Sequence, residues 1–482
     1  MAAVSHAPRP GLLRSHATLV AGAVVLVSAV GVAAGLSHGP LLIAAGVAGA
    51  AYLLLAITAP LPAVVLFFLL TFISQLSVVS GGVSVAKGAG GALVLGWVYR
   101  EISGRGDRSA FSTNRAFVVF SAAFLVWCLA STLWASDSGA AFSSSARIAQ
   151  GPLLVIALVG LAKDERAVHV LCGTFLAGAT LSAAVGLSGV TRPDTVAVAS
   201  ADNRLTGGIG DPNYLAAVLV PAVALALFMS QAPRRPGTRV PILLAGTVCL
   251  VALFLTQSRG GIVALAVTVV VGIAFAGRAR RNIVVAASGV LAVASIYLML
   301  VAPPHALGRI TQFTSGGGTG RTDLWTVALK SFEGSPVQGI GLGNFVVVEP
   351  TLVVDVNTDL PRADLVVTQR QPVHNTYLHI AAELGLVGIV LFLAALGAVV
   401  VAARDGVRAL VGAGNYPLEL VGRGLVVGCL GMLTAFTFLT AQYEKQLWLT
   451  LGLVLAYARV ARSRAGDTIT PPAVADGPRR PV

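Results

Sequence analysis

Long apolar runs separated by short polar breaks dominate this chain. A bilayer crossing takes about 20 mostly apolar residues. Runs of that kind lie near 17–36, 40–58, 61–79, 116–134, 167–190, 212–231, 240–256, 260–277, 283–302, 376–402, 419–441 and 446–461. Two weaker runs, near 83–99 and 148–162, raise the expectation to about fourteen transmembrane helices, within a range of twelve to fourteen. The expected fold class is an all-α polytopic membrane protein. The first run follows Arg9 and Arg14 and resembles a signal peptide, but it is long for one and reads as a retained helix.

Composition agrees with lipid exposure. Of the 482 residues, 56% are apolar and 11% charged, against roughly a quarter charged in soluble domains. The net charge of +13 raises a nucleic-acid reading, but the basic residues are spread along the breaks and form no patch. Cys128, Cys172, Cys249 and Cys429 sit inside apolar runs without metal-ligand or disulfide spacing, so they read as packing residues.

Charge tests the helix count. With a cytoplasmic N-terminus, the inner segments collect 22 of the 33 basic residues but only 8 of the 20 acidic ones, as the positive-inside rule requires. Removing one helix from the middle would scramble this separation. The organisation expected is helices one to eleven over 1–302, one large extracytoplasmic loop over 303–375, helices twelve to fourteen over 376–465, and a disordered cytoplasmic tail over 466–482. Both termini are then cytoplasmic, in a multi-pass cell (plasma or inner) membrane protein.

A loop of seventy residues usually carries structure or function. Its segment GGGTGRTDLWTVALKSFEGSP predicts a glycine turn and then a helix capped by Thr322 or Asp323. Leu324, Val327, Ala328 and Phe332 fall on one face, which suits a helix lying along the membrane surface. Glycines 339, 341 and 343 then form a Gly-x-Gly-x-Gly. No strand precedes it, so it reads as a tight turn in preference to a phosphate loop.

Four outward positions carry candidate chemistry. His374 precedes Asn375, which with Thr376 is a candidate cap for the next helix. The positive helix end there favours a neutral imidazole, the form a general base needs. Arg259, in TQSRGG, lies in a turn too short to leave the hydrocarbon boundary cheaply. Arg204, in NRLTGGIGDPN, precedes a helix opening with Asp211 as cap and Pro212 at its first position. Arg321 stands in GRTDLW. Arginine forks suit phosphate oxygens. Each position also has a bland reading as an interfacial polar residue or a snorkelling cation. His379 and Glu383, four apart on one face, read as a buried structural pair. Glu444 and Lys445 read as a solvated turn, with Glu444 a possible lining residue.

HNTYLHIAAELGLVG has His374-Asn375, nine residues, then Gly385-x-x-Gly388. This resembles the signature of the O-antigen ligase and O-antigen polymerase superfamily of membrane glycosyltransferases. NRLTGGIGDPN, TQSRGG and GRTDLW…SPVQGIGLGNF resemble further blocks of that family in order, so the similarity covers roughly residues 200–400. The resemblance implies a membrane-embedded, GT-C-type inverting glycosyltransferase of cell-surface polysaccharide biosynthesis, with its active site on the extracytoplasmic side. It implies a polyprenyl-diphosphate-linked glycan donor, a glycan, lipid or wall acceptor, and neither metal nor other cofactor. By the same resemblance, His374 is the catalytic base, and Arg259, Arg204 and Arg321 hold the diphosphate, with Arg192 as the alternative to Arg204. Ligase, polymerase and protein O-oligosaccharyltransferase are not separated. A transporter or flippase of lipid-linked glycan is the different-class alternative, but no internal repeat or midmembrane charge array supports it.

Overall fold

The computed structural model of the chain describes residues 40–74, 78–79, 83–105, 111, 114–190, 204–232, 236–296, 321–354 and 372–469. The first expected helix, Arg192, and about half of the 303–375 loop (303–320 and 355–371) lie outside these residues. The regular elements among the described residues are helices apart from one antiparallel pair, β1 (Val78–Val79) with β2 (Val83–Ser84).

The helices are α1 (Pro40–Thr58), α2 (Pro60–Phe72), α3 (Val85–Ile102), α4 (Arg115–Ala130), α5 (Ser138–Leu161), α6 (Glu165–Val190), α7 (Pro212–Met229) and α8 (Pro236–Leu255). They continue as α9 (Arg259–Phe275), α10 (Arg280–Ile296), α11 (Arg321–Gly334), α12 (Phe345–Val354), α13 (Thr376–Ala413), α14 (Tyr416–Ala435) and α15 (Lys445–Ile469). Among the described residues seven helices, α4–α8, α13 and α14, are long and apolar enough to cross a membrane alone. The α9–α10 pair, bent by 110° at Gly277, passes the same test as a unit. The protein is an all-helical polytopic membrane protein.

Thirteen of the fourteen expected runs fall on helices, with several boundaries corrected. The run at 61–79 ends as helix at Phe72, and residues 83–84 are strand. The weak run at 148–162 belongs to a helix that starts ten residues earlier. Asp137 caps it by accepting from Ala140 N at 2.8 Å. Its polar opening stays helical because Ser145 Oγ returns to the Ala141 and Cys128 carbonyls. Hydropathy sees only the apolar part of such a helix. Residues 466–469 of the expected tail belong to α15, which continues to Ile469, and residues 470–482 lie outside the described residues.

Packing centres on α15, whose residues from Gln446 to Val460 are almost all buried. It touches α2, α5, α6, α13 and α14. A helix apolar all round belongs inside a bundle. Small residues let neighbouring backbones approach, as in membrane bundles generally. A Cβ on Gly151 would sit 2.1 Å from the Trp448 ring, and one on Gly178 would sit 2.4 Å from Phe72. All four cysteines are buried thiols.

Candidate active site

The first half of the site is a knot between the starts of α7 and α9. Asp211 caps α7, its Oδ1 accepting from Asn213 N and Tyr214 N at 2.8 Å each, with Pro212 at the first helical position. Ser258 caps α9, accepting from Gly261 N at 3.2 Å. Asn213 Oδ1 joins the two caps. It accepts from Ser258 Oγ at 3.0 Å and from Arg204 Nη2 at 2.9 Å. Arg204 Nε also donates to the Thr256 carbonyl at 2.9 Å. Arg204 therefore clamps the turn that carries Arg259.

The second half comes from the long loop. α11 begins at Arg321, one residue before the expected cap Thr322, so Asp323 sits in its first turn, where a negative charge is favourable. Its apolar face does not lie on the membrane. Val327 and Ala328 pack instead with Phe345, Val373 and Ala382. Trp325 Nε1 donates to the Val373 carbonyl at 3.0 Å, which ties α11 to the residue before His374. The Trp325 ring packs on Phe438, centroids 6.5 Å apart, and Phe438 leaves room for nothing larger than Gly260 at the start of α9. Asn375 is the cap of α13, accepting from Tyr377 N and Leu378 N at 3.0 Å. Thr376 Oγ1 donates to the Leu439 carbonyl at 2.6 Å and accepts from Ala441 N at 2.9 Å.

Two non-glycine residues have positive φ among those described: Gln257 at 50° and His374 at 55°. One stands two residues before Arg259 and the other is the candidate base. Such backbone costs of order 1–3 kcal/mol and persists only where the surroundings impose it. Each stands directly before a helix cap, Gln257 before Ser258 and His374 before Asn375.

The charges converge as well. The Arg321 guanidinium is half-buried and disfavoured by burial first and by the Arg259 charge second, with Asp211 opposing. His374 is pushed down to about 4, first by burial and then by Arg321 and His379, while Asp211 works the other way. His374, Arg321, Arg259 and Asp211 thus share one electrostatic neighbourhood. Among the described residues, neither the Arg259 nor the Arg321 side chain makes a hydrogen bond or ion pair with the protein, in contrast to Arg204. Arginine is not deprotonated in proteins, so two half-buried cations sit together with one carboxylate near them.

The three glycines before this site have a structural job. Gly385 breaks α13, at φ 66° and ψ −166°. In a membrane each backbone group freed by a break needs a partner. The 336–341 turn supplies most of them. Ile340 N and Gly341 N donate to the carbonyls of Ala382 and Glu383 at 3.2 and 2.8 Å, and Leu386 N donates to Pro336 O at 2.8 Å. Trp127 Nε1 takes the Leu384 carbonyl at 2.9 Å. A Cβ on Gly385 would lie 2.2 Å from Val337 O. His379 Nε2 and Glu383 Oε1 are 3.2 Å apart, and Glu383 Oε1 also accepts from Phe345 N at 3.1 Å, so this pair fastens the loop to α13.

Sequence reasoning underrates the segment before α15. Arg147 lies over the Tyr443 ring at 4.4 Å. Burial pushes the Glu444 carboxyl up, while Lys445, Arg147 and Lys87 pull it down and Asp211 raises it. This second cluster of charges is therefore within electrostatic reach of the Asp211 side of the site. The Tyr214 hydroxyl, hydrogen-bonded to the Thr440 carbonyl, ties its segment to α7. The adjacent Glu444-Lys445 pair is the one signal in the sequence, and it reads as a solvated turn.

Residues 242–393, about a third of the chain, match the family model of O-antigen ligase. The match runs from α8 into α13 and includes Arg259, Arg321, His374, Asn375, Gly385 and Gly388. The resemblance read from the sequence stands there. The Arg204–Pro212 block lies outside the matched range. No curated protein matches the chain.

Proposed function

We propose, from the O-antigen ligase relationship of residues 242–393, that this protein is a membrane glycosyltransferase of cell-surface polysaccharide biosynthesis. It moves a glycan from a polyprenyl-diphosphate carrier to an acceptor hydroxyl on the extracytoplasmic face. The observation that carries this reading is the meeting of a neutral histidine with two arginines that lack protein partners among the described residues. All thirteen described helices outside the loop, plus the first apolar run, are then bilayer crossings. That arrangement gives fourteen crossings, with both termini cytoplasmic.

In the reaction, the acceptor oxygen attacks the anomeric carbon while the bond from that carbon to the diphosphate oxygen breaks. A single displacement inverts the anomeric centre. The acceptor's proton goes to the unprotonated ring nitrogen of His374, as general-base catalysis requires. The electron pair of the broken bond leaves on the diphosphate. Arg259 and Arg321 stabilise that charge as preorganised cations. Arg204, engaged with Thr256 and Asn213, positions Arg259. Asn375, Gly385 and Gly388 fix the start and the break of α13.

A histidine held near pH 4 is a weak base. The donor works against this in part. Burial still lowers the imidazole, but the diphosphate offsets the charge of Arg321, the second cause, so the base is strengthened when the donor is in place.

The test is glycan profiling of cells lacking the protein, complemented with wild type or with His374→Ala. Accumulated lipid-linked glycan that wild type clears and His374→Ala does not supports transfer. Stalled single units indicate a polymerase, and stalled finished polymer indicates a ligase. Full complementation by His374→Ala would overturn the mechanism.

A further inference from the structure

A cavity of about 710 Å3 opens between the start of α2, the end of α3 and the turn from α5 to α6. It lies far from His374. α2 runs from the cavity at Pro60 to Phe72, whose carbonyl is 2.7 Å from where a Gly208 Cβ would sit, beside the Arg204–Asp211 knot. At 1.5 Å per residue, that helix separates the two places by about 20 Å. α6 gives the same answer. Its first turn lines the cavity, and Ser182 Oγ, further along, accepts from Gly208 N at 3.1 Å.

The cavity has two kinds of wall. Arg100, Lys163 and Arg166 supply three cations, and Leu61, Val65 and Val170 supply apolar surface. Arg100 is held in place by donating from Nη1 to the Ile57 carbonyl at 2.9 Å. The acid among them, Asp164, caps α6, accepting from Ala167 N at 2.7 Å. The Lys163 and Arg166 side chains are exposed. The sequence already assigns this end of the bundle to the cytoplasmic face, where anionic lipids meet basic pockets between helices.

We propose that this cavity binds the phosphodiester head of an anionic phospholipid on Arg100, Lys163 and Arg166, with an acyl chain along Leu61, Val65 and Val170. A free phosphate would use the cations alone. An amphiphile uses both walls, and a membrane protein meets amphiphiles at this depth.

The experiment is native mass spectrometry of the full chain released from bilayer discs of phosphatidylcholine containing a minor fraction of phosphatidylglycerol. Wild type should retain phosphatidylglycerol in preference to phosphatidylcholine, with or without inorganic phosphate. The double variant Lys163→Ala/Arg166→Ala should retain about thirtyfold less, since each cation near a membrane surface contributes on the order of 1 kcal/mol. Leu61→Trp, which fills the apolar wall and leaves the charges, should lose retention as well. Arg278→Ala/Arg280→Ala, an equal charge change at exposed residues elsewhere, should not. Unchanged retention in either cavity variant overturns the proposal. So does an equal loss in the Arg278/Arg280 control, or displacement of the lipid by inorganic phosphate, which would identify a plain anion site. Glycan transfer is not the readout, so failure here leaves the transferase reading untouched.

Discussion

Helix α9 meets an arginine at each end, its own Arg259 at one and Arg423 of α14 at the other, and the two are treated in opposite ways. At its C-terminal end the Phe275 carbonyl accepts a hydrogen bond from Arg423 of α14. The Arg423 Nε also pairs with Glu419 at 2.7 Å. A cation belongs at a helix C-terminus, and here it serves the last carbonyl of α9 and a carboxylate at once. At the N-terminal end Arg259 faces the positive pole of its own helix. A second arginine, Arg321, stands in the same field, and neither has a protein partner among the described residues. The first end follows the rules of helix electrostatics and holds the bend to α10. The second breaks them, and what would settle it is an anion. Where local rules fail in a well-packed fold, a functional site is the expected reason.

Four substitutions or titrations break or sharpen that contrast. His374→Ala should lower the rate of transfer by about 10²–10⁴-fold, the usual share of a general base, with unchanged membrane insertion and thermal unfolding. A reconstituted assay with a polyprenyl-diphosphate glycan measures it, and Arg480→Ala in the tail serves as the inert control. Arg259→Ala should cost about 10²–10³-fold, as loss of one charge-stabilising donor does elsewhere. Arg259→Lys should recover little of that, because the planar fork is gone. At the other end of α9 the prediction reverses. Arg423→Ala leaves Glu419 buried without its partner and should destabilise the protein by about 3–5 kcal/mol. Activity per folded molecule should be kept. Thermal unfolding read beside specific activity separates the two ends.

The smallest effect concerns pH. His374 is held down to about 4 in the free protein, below its unfolded value. The unfolded chain therefore binds the extra proton between about pH 4 and 6.5, and stability falls as pH drops through that window. The acid limb of kcat/KM reports the free protein, and that of kcat reports the donor complex. Because the diphosphate offsets Arg321, the kcat limb should lie at higher pH than the kcat/KM limb. Coincident limbs would remove the donor's influence on the histidine.

Much of the architecture is legible in the chain itself. Apolar runs locate thirteen described helices, and capping residues such as Asp211 and Asn375 mark helix starts correctly. Local signals mislead at three places. The polar opening of α5 is helical because Asp137 and Ser145 serve the backbone. The apolar face of α11 packs on protein, although an amphipathic helix in a membrane protein looks the same when it lies on lipid. The Gly339–Gly343 segment reads as a turn, but nothing local marks it as the piece that completes the broken helix at Gly385.

The site divides in the same way. Residue type and motif point to His374, Arg259, Arg204 and Arg321 one at a time. Only tertiary structure brings His374, Arg259, Arg321 and Asp211 into one field, puts Arg204 to work on Asn213, and moves Arg147 and Glu444 to the edge of the site. Hydropathy, charge and caps act over a turn or two of helix, so a sequence displays them directly. A shared electrostatic field, a positive φ at His374 and a healed helix break depend on segments from four parts of the chain, which nothing short of the packed fold brings together.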